Sequence, residues 1–263
     1  MADSFRVTVK IAELVIDIIS SNPYTHIVCR NYITDEEPML HVHVTEEDEE
    51  IEVKKWKALM GNCNISRIQV LDRYNGTLYI NNQNTNAVRT TAAYKKIVEA
   101  AIPYGIFLMH GAAIALNDEC FLFTARSGTG KTTHIKLWLK NKKESFVVNG
   151  DKPLIKVAGN DVLACGSPWC GKEWMNTNVQ IPLKAIIIME RSEDNKIEEI
   201  SFEQAYPFLL QQTYLPIEAD LARKTLELLL KLFGKVKCYR FYFNNYKDDC
   251  FETSFSTLIS SNA

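Results

Sequence analysis

Two rhythms of apolar residues run along this chain, and they change character about two-fifths of the way in. The early part is mostly short alternating runs. Residues 5–19 (FRVTVKIAELVIDII) begin with alternation and continue as a denser apolar run, which predicts one or two strands, or a strand followed by a short helix. Asn22-Pro23 breaks the pattern, after which Thr25–Arg30 and Met39–Thr45 both fit strands. In the latter, Leu40, Val42 and Val44 share one face, and His41 and His43 share the other. A metal pair is conceivable there, but no carboxylate or cysteine stands near at metal-site spacing, so solvent-facing histidines are expected. The acidic run 46–52 (EEDEEIE) is expected to be a solvated loop or a helix start. Ser66–Leu71 and Thr77–Ile80 predict a hairpin across Asn75-Gly76, with a polar loop at 81–86. Tyr94–Ile102 has helical periodicity and is closed by Pro103-Tyr104-Gly105. Residues 1–104 thus read as a small, strand-rich α+β module without identifiable chemistry.

From residue 105 the apolar runs lengthen. Strands are predicted at Ile106–Met109, Ala112–Leu116, Cys120–Thr124 and Ser145–Val148, a hairpin at Leu154–Val157 and Val162–Cys165, and a central strand at Leu183–Glu190. Helices follow at Glu203–Thr213 and Ala219–Phe233, the second stopped by Gly234, then a strand at Val236–Phe243 and a short helix within Glu252–Ser260. The whole predicts an α/β fold, α+β overall, with residues 105–263 forming the second domain.

That second domain holds the most informative stretch, Phe121-Leu-Phe-Thr-Ala-Arg-Ser-Gly-Thr-Gly-Lys-Thr-Thr133. A buried strand, a glycine-bearing turn and a helix start are the layout of a phosphate-binding P-loop. Backbone N–H groups from Ser127 through Gly128, Thr129 and Gly130 to Lys131 can curl into an anion nest. Gly128 and Gly130 permit positive φ, and the helix N-terminus adds partial positive charge. Lys131 would reach the β/γ-phosphates of ATP and the Thr132 hydroxyl would bind Mg²⁺, with Thr133 completing the first turn. Ala125 stands where the motif's first glycine belongs, which is tolerable where φ stays negative. Downstream, Asp151 ends an apolar strand, the place for a second metal- or nucleophile-handling carboxylate, although an aspartate in a turn before proline is also common. The loop 166–178 (GSPWCGKEWMNTN) is polar and aromatic, a composition that suits covering something. Lys172 and Glu173 are its ionisable members, and Trp169 and Trp174 either stack on a ligand or anchor the loop.

Composition narrows the class. A formal net charge of −2 gives no electrostatic reason to expect nucleic acid as a partner. No apolar run approaches a membrane span, and the N-terminus lacks a signal-peptide core. Seven cysteines with no C-x-x-C pair suit reduced thiols, so a cytoplasmic location is expected.

His110-Gly111 ahead of the loop, the loop itself and the strand ending in Asp151 together resemble the catalytic domain of HPr kinase/phosphorylase. That family shares the wider P-loop fold of phosphoenolpyruvate carboxykinase. The resemblance is specific from about His110 to Asp151 and fainter through Leu163–Arg191. Residues 1–104 do not look like that enzyme's usual N-terminal domain. The segments HGAA, SGTGKTTH, NGDKP and PW-x-GKE-x-x-NTN look closer to short bacterial HPr-kinase-like proteins, some of them encoded with lasso-peptide pathways. The resemblance implies that His110 lies near the transferred phosphate and that Asp151 acts as general base or acid/base and contacts the metal. The family has two adjacent aspartates where this chain reads Gly150-Asp151, so the division of those roles and the reverse, phosphate-driven reaction do not carry over. His110, taken alone on an apolar strand, would fit a satisfied core histidine; its spacing to the loop favours function. Arg126 could touch phosphate or stay solvated. The expected activity is transfer of the γ-phosphoryl group of ATP, with Mg²⁺, to a hydroxyl, foremost a serine of a peptide or protein. A small-molecule acceptor such as a free amino acid or sugar, or a non-catalytic nucleotide-binding scaffold, are the alternatives. Residues 1–104 could recognise the acceptor, and a homo-oligomer is left open.

Overall fold

The structure, a computed structural model, describes residues 4–60, 68–72, 76–80, 85–171 and 173–260. The chain divides into two compact units, Met1–Ala101 with Pro168–Trp174, and Ile102–Ser167 with Met175–Ala263.

The first unit begins with strands β1 (Phe5–Ile11) and β2 (Leu14–Ser20), joined by Ala12-Glu13, both at positive φ as a tight hairpin requires. Helix α1 (Tyr24–Cys29) occupies the segment expected as a strand. Six residues are too few for periodicity to decide. The Asn22 side chain accepts the Tyr24 N–H, Pro23 precedes the first turn, and Thr25 and Cys29 bury one face four residues apart. Strand β3 (Leu40–Val44) pairs in parallel with β2. Its histidines are exposed, as expected, but His41 Nδ1 lies 3.1 Å from Asp17 Oδ2, a carboxylate brought close only by strand pairing. The acidic run opens helix α2 (Glu46–Met60), the helix start of the two expectations, and it is not wholly solvated: Glu49 and Glu52 are buried, held by Ser20 and Lys95. Strands β4 (Ile68–Asp72) and β5 (Gly76–Ile80) form the antiparallel pair expected there, and α3 (Asn86–Ala101) completes the element series. The turn at Asn75, residues 81–84 of the polar loop and Cys63 lie outside the described residues. Trp169 is an anchor, stacked on Tyr94 at 4.6 Å and donating to Thr90 Oγ1 at 3.1 Å.

The second unit is built on one nine-stranded sheet. Its elements are β6 (Ile106–Leu108), β7 (Ala112–Leu116), β8 (Glu119–Thr124), α4 (Lys131–Asn141), β9 (Phe146–Asn149), β10 (Leu154–Ala158), β11 (Asp161–Cys165), β12 (Gln180–Arg191), β13 (Lys196–Ile200), α5 (Phe202–Gln212), α6 (Ala219–Leu230), β14 (Lys237–Phe243) and α7 (Cys250–Ser260). The strand order is β6-β10-β11-β12-β8-β7-β9, with β14 against β12 and β13 against β14. The unexpected β13, KIEEI, is a polar edge strand, where the apolar pattern gives no signal. Only the middle is parallel: β12 runs alongside both β8 and β14, and its run of buried isoleucines reads as a central strand because both faces are covered. One face packs on α5 and α6 through Phe202, Leu209, Leu228 and Leu229, the other on α4 and α7 through Ile135, Trp138, Phe251 and Leu258.

The α4–α7 side contains a buried polar relay. Trp138 Nε1–H donates to His134 Nε2 at 3.3 Å, leaving the neutral ring's proton on Nδ1, 3.8 Å from Cys250 Sγ. Ser254 Oγ lies 3.0 Å from the same Nε2. Burial pushes His134 down to about 3, because a charged ring would sit among Phe123, Phe241 and Trp138. The unfolded ring binds its proton near 6.5, so stability is full above that value and falls as pH drops towards about 3. Between pH 7 and pH 5 this group alone should cost about 2 kcal/mol. Denaturant midpoints measured at both pH values should show a smaller acid loss for His134→Gln than for the parent; equal losses would show that His134 is not the titrating group.

Among the described residues no helix is long and apolar enough to cross a membrane.

Candidate active site

The glycine loop leaves β8 at Ala125, which is buried and absent from the positive-φ positions, so the missing first glycine is accommodated. Gly128 (φ +77°) and Gly130 (φ +128°) supply the turn, and Lys131 opens α4. The carbonyls of the loop are bonded as well. Three of them are held by cations: Lys131 Nζ donates to Ala125 O at 2.9 Å, Arg191 Nη2 to Gly128 O at 2.7 Å and Arg191 Nε to Thr129 O at 3.0 Å. Arg191 stands at the end of β12, delivered there by the parallel pairing with β8.

Next to the loop, His110 follows β6. A Cβ at Gly111 would lie 2.7 Å from Leu122 Cδ1, so glycine lets this backbone run against β8, where Thr124 Oγ1 donates to His110 O at 2.7 Å. His110 Nδ1 donates to Gln212 Oε1 at 2.8 Å, and Nε2 lies 3.4 Å from Asp151 Oδ1. Asp151 itself is set by Asn149 at the end of β9, whose fully buried side chain accepts the N–H groups of Asp151 and Lys152 and donates to Ser167. Lys152 Nζ contacts Asp151 Oδ2 at 2.8 Å. Burial pushes the Asp151 carboxyl up, but the His110 contact and the charge and hydrogen bond of Lys152 outweigh it and hold it well below the usual carboxylate range. Lys131 is 8% exposed; burial lowers its value, and the negative charge of Asp151 offsets part of that.

Lys131, Asp151 and His110 are therefore neighbours in one polar cluster at the C-terminal ends of the central strands, where open α/β sheets place ligands. Arg126, Ser127 and Gly128 are exposed on the loop, Thr129, Gly130 and Thr132 half-buried, and Thr133 exposed on the first turn of α4. Glu173 is exposed within the segment that clusters with the first unit, and Lys172 lies outside the described residues. Among the described residues no set of three His, Cys, Asp or Glu side chains forms a ready metal cage. The sequence reading missed Arg191, Gln212, Asn149 and Lys152. Of these, only Asn149, two residues before Asp151 at a strand end, carried a local signal, that of an Asx turn.

Two clefts flank the loop and share Arg191. One, of about 400 Å³, is bounded by Gly130, Thr133, Phe243, Asn245 and Tyr246. The other, of about 630 Å³, is bounded by Arg126, Gly128, Met189, Glu190 and Phe208.

No protein-family model matches the chain, and no curated protein matches it either. Among solved structures, the HPr(Ser) kinase/phosphatase from Coxiella burnetii is similar at 11% identity and a TM-score of 0.36, over 59% of this chain and 88% of that one. A similarity this low assigns no chemistry to the chain.

Proposed function

We propose that this protein is an ATP-dependent phosphotransferase that moves a γ-phosphoryl group to a hydroxyl, foremost a serine of a peptide or protein. The observation that carries the reading is the meeting of Lys131, Asp151 and His110 at a glycine loop whose carbonyls are held by Lys131 and Arg191. These residues fit the group they would bind. Gly128 has open space where a side chain would stand, and Lys131, 8% exposed, bonds a neutral carbonyl beside the nearby Asp151 charge. ATP with Mg²⁺ would supply the transferable phosphoryl group and neutralise its charge; Thr132 and Asp151 are the residues to hold the metal.

The chain's own part is positioning and electrostatics. Lys131 would leave Ala125 O to meet phosphate oxygens, and Arg191 would keep the loop amides pointing inward. Asp151 stays ionised across the neutral range, so its oxygens are available to orient the acceptor hydroxyl and take its proton. His110, its Nδ1 fixed by Gln212, presents Nε2 to the same space. The single carboxylate, pinned by Lys152 and His110, also favours a second reading, a scaffold that binds nucleotide and transfers nothing. Incubation with γ-labelled ATP, Mg²⁺ and a pool of peptides, free serine and sugars separates the two. Label on an acceptor, lost in Asp151→Asn, is expected. ATP binding without labelled product would move the assignment to the scaffold, and failure to bind ATP or GTP would remove the phosphate-loop reading.

A further inference from the structure

The two histidines of β3 take no part in the site described above, and strand pairing changes what they can do. His41 and His43 lie on the exposed face of the strand, while Val42 and Val44 are buried on the other. Alternate residues of a strand stand roughly 6.6 Å apart, so the two imidazoles are neighbours on one side. The backbone beneath them is fixed. Asp17 and Ile19 of β2 pair with His41 and His43, and Lys96 Nζ donates to the His43 carbonyl at 3.1 Å.

No carboxylate stands near these histidines in sequence, yet the sheet supplies one. Asp17 is fully buried and uses both oxygens: Oδ1 accepts from Arg6 Nε at 2.7 Å, and Oδ2 lies 3.1 Å from His41 Nδ1. A carboxylate paired with a guanidinium is ionised and can only accept. The His41 proton therefore sits on Nδ1, and the neutral ring keeps its lone pair on Nε2. The His41 side chain is 66% exposed, so a solvated cation can reach it. An imidazole tied through one nitrogen to a carboxylate is the arrangement that prepares the other nitrogen as a metal ligand, by fixing the tautomer and raising its basicity.

We infer that His41 Nε2 and His43 form a two-imidazole site for a divalent transition metal, with Asp17 supporting His41 and water filling the remaining positions. Among the described residues no third His, Cys, Asp or Glu completes a cage, so this is an open site rather than a closed structural centre. Arg6 sets a limit on its strength, because the guanidinium offsets the charge of Asp17. Nitrogen ligands select Zn²⁺, Cu²⁺ or Ni²⁺ over Mg²⁺ and Ca²⁺, which take oxygen. Nothing in this site depends on the phosphate loop.

The test is a calorimetric titration of the intact protein with Zn²⁺ at neutral pH, in roughly tenfold excess of Mg²⁺ to occupy oxygen-ligand sites. The parent should show saturable zinc uptake, and His41→Gln and His43→Gln should each abolish the same binding event. Both side chains are exposed, so these variants leave the fold alone. Asp17→Asn keeps an acceptor for His41 Nδ1 but loses the charge, and should weaken zinc by about 10–100-fold. Its denaturation midpoint is measured alongside, and the two histidine variants decide the matter if it does not fold. Absence of saturable uptake by the parent would overturn the site. So would zinc binding that survives in either histidine variant, since the metal would then be held elsewhere or by one ring alone. A folded Asp17→Asn that binds zinc as the parent does would overturn the part given to the carboxylate.

Discussion

Lys131→Met is expected to abolish phosphate transfer, by at least about 10²–10³-fold in kcat/KM, while the protein remains folded. Methionine keeps most of the apolar stem and removes only the ammonium, which among the described residues bonds the neutral Ala125 carbonyl at 2.9 Å. Burial lowers the Lys131 value, and the attraction of Asp151 recovers only part of it. The sign follows: with its folded value below its unfolded one, the charged lysine opposes folding at neutral pH, and that cost is absent only where the group is neutral in both states. Removing it should leave the denaturation midpoint unchanged or raise it. The opposite pairing, full transfer with a lowered midpoint, would make Lys131 a structural cap of Ala125 O and would remove it from the phosphate site. A residue retained at a cost in stability is a functional candidate, since its compensation has to come from a ligand.

What could be read without coordinates was what is local. The step from β8 through the loop to α4 carries its own signals within a dozen or so residues: an apolar run, two glycines, a lysine and a helical pattern. The hairpin β10–β11 and the buried β12 were legible for the same reason. Thr25–Arg30 was misread because six residues cannot distinguish a strand from a short helix, and a side-chain bond from Asn22 decided the matter. The acidic run was legible as a helix start, but its buried members were not, because charge was counted without partners: Glu52 bonds Lys95, 43 residues away in sequence. The supports of the candidate site are long-range in the same way. Arg191 reaches the loop across 62 and 63 residues, and Gln212 reaches His110 across 102. No spacing rule connects such pairs; parallel pairing of β12 with β8 does so for Arg191, and the docking of the α5 end beside β6 does so for Gln212. Hence the residues that would touch phosphate were visible in the sequence, while those that hold them in place were not.

The two loop glycines make a sharper case, because the motif treats them alike and the structure does not. Gly128 has φ of +77°, near the left-handed well, and open space where a Cβ would stand. Gly128→Ala should therefore cost only about 1–2 kcal/mol of backbone strain. Gly130 has φ of +128° with ψ of 15°, outside any well open to an L side chain. Its Cβ would also lie 2.9 Å from Asn245 Nδ2 and 3.4 Å from two ring carbons of Phe243. To admit alanine, either the loop must turn its amides away from the nest, or Asn245 must move and break its bond to Cys250. Both routes damage the site, since the first empties the phosphate nest and the second disorders the adjoining cleft. Gly130→Ala is expected to lose ATP and tripolyphosphate binding by a hundredfold or more, from a strain and clash of about 3 kcal/mol that the loop relieves by leaving its binding conformation. Because this relief is local, the thermal midpoint should fall much less than affinity does. Calorimetry and thermal denaturation of the two alanine variants side by side check the point: equal losses at both positions would mean that the distinct geometry of Gly130 does not matter, and that the loop closes around phosphate by a different path.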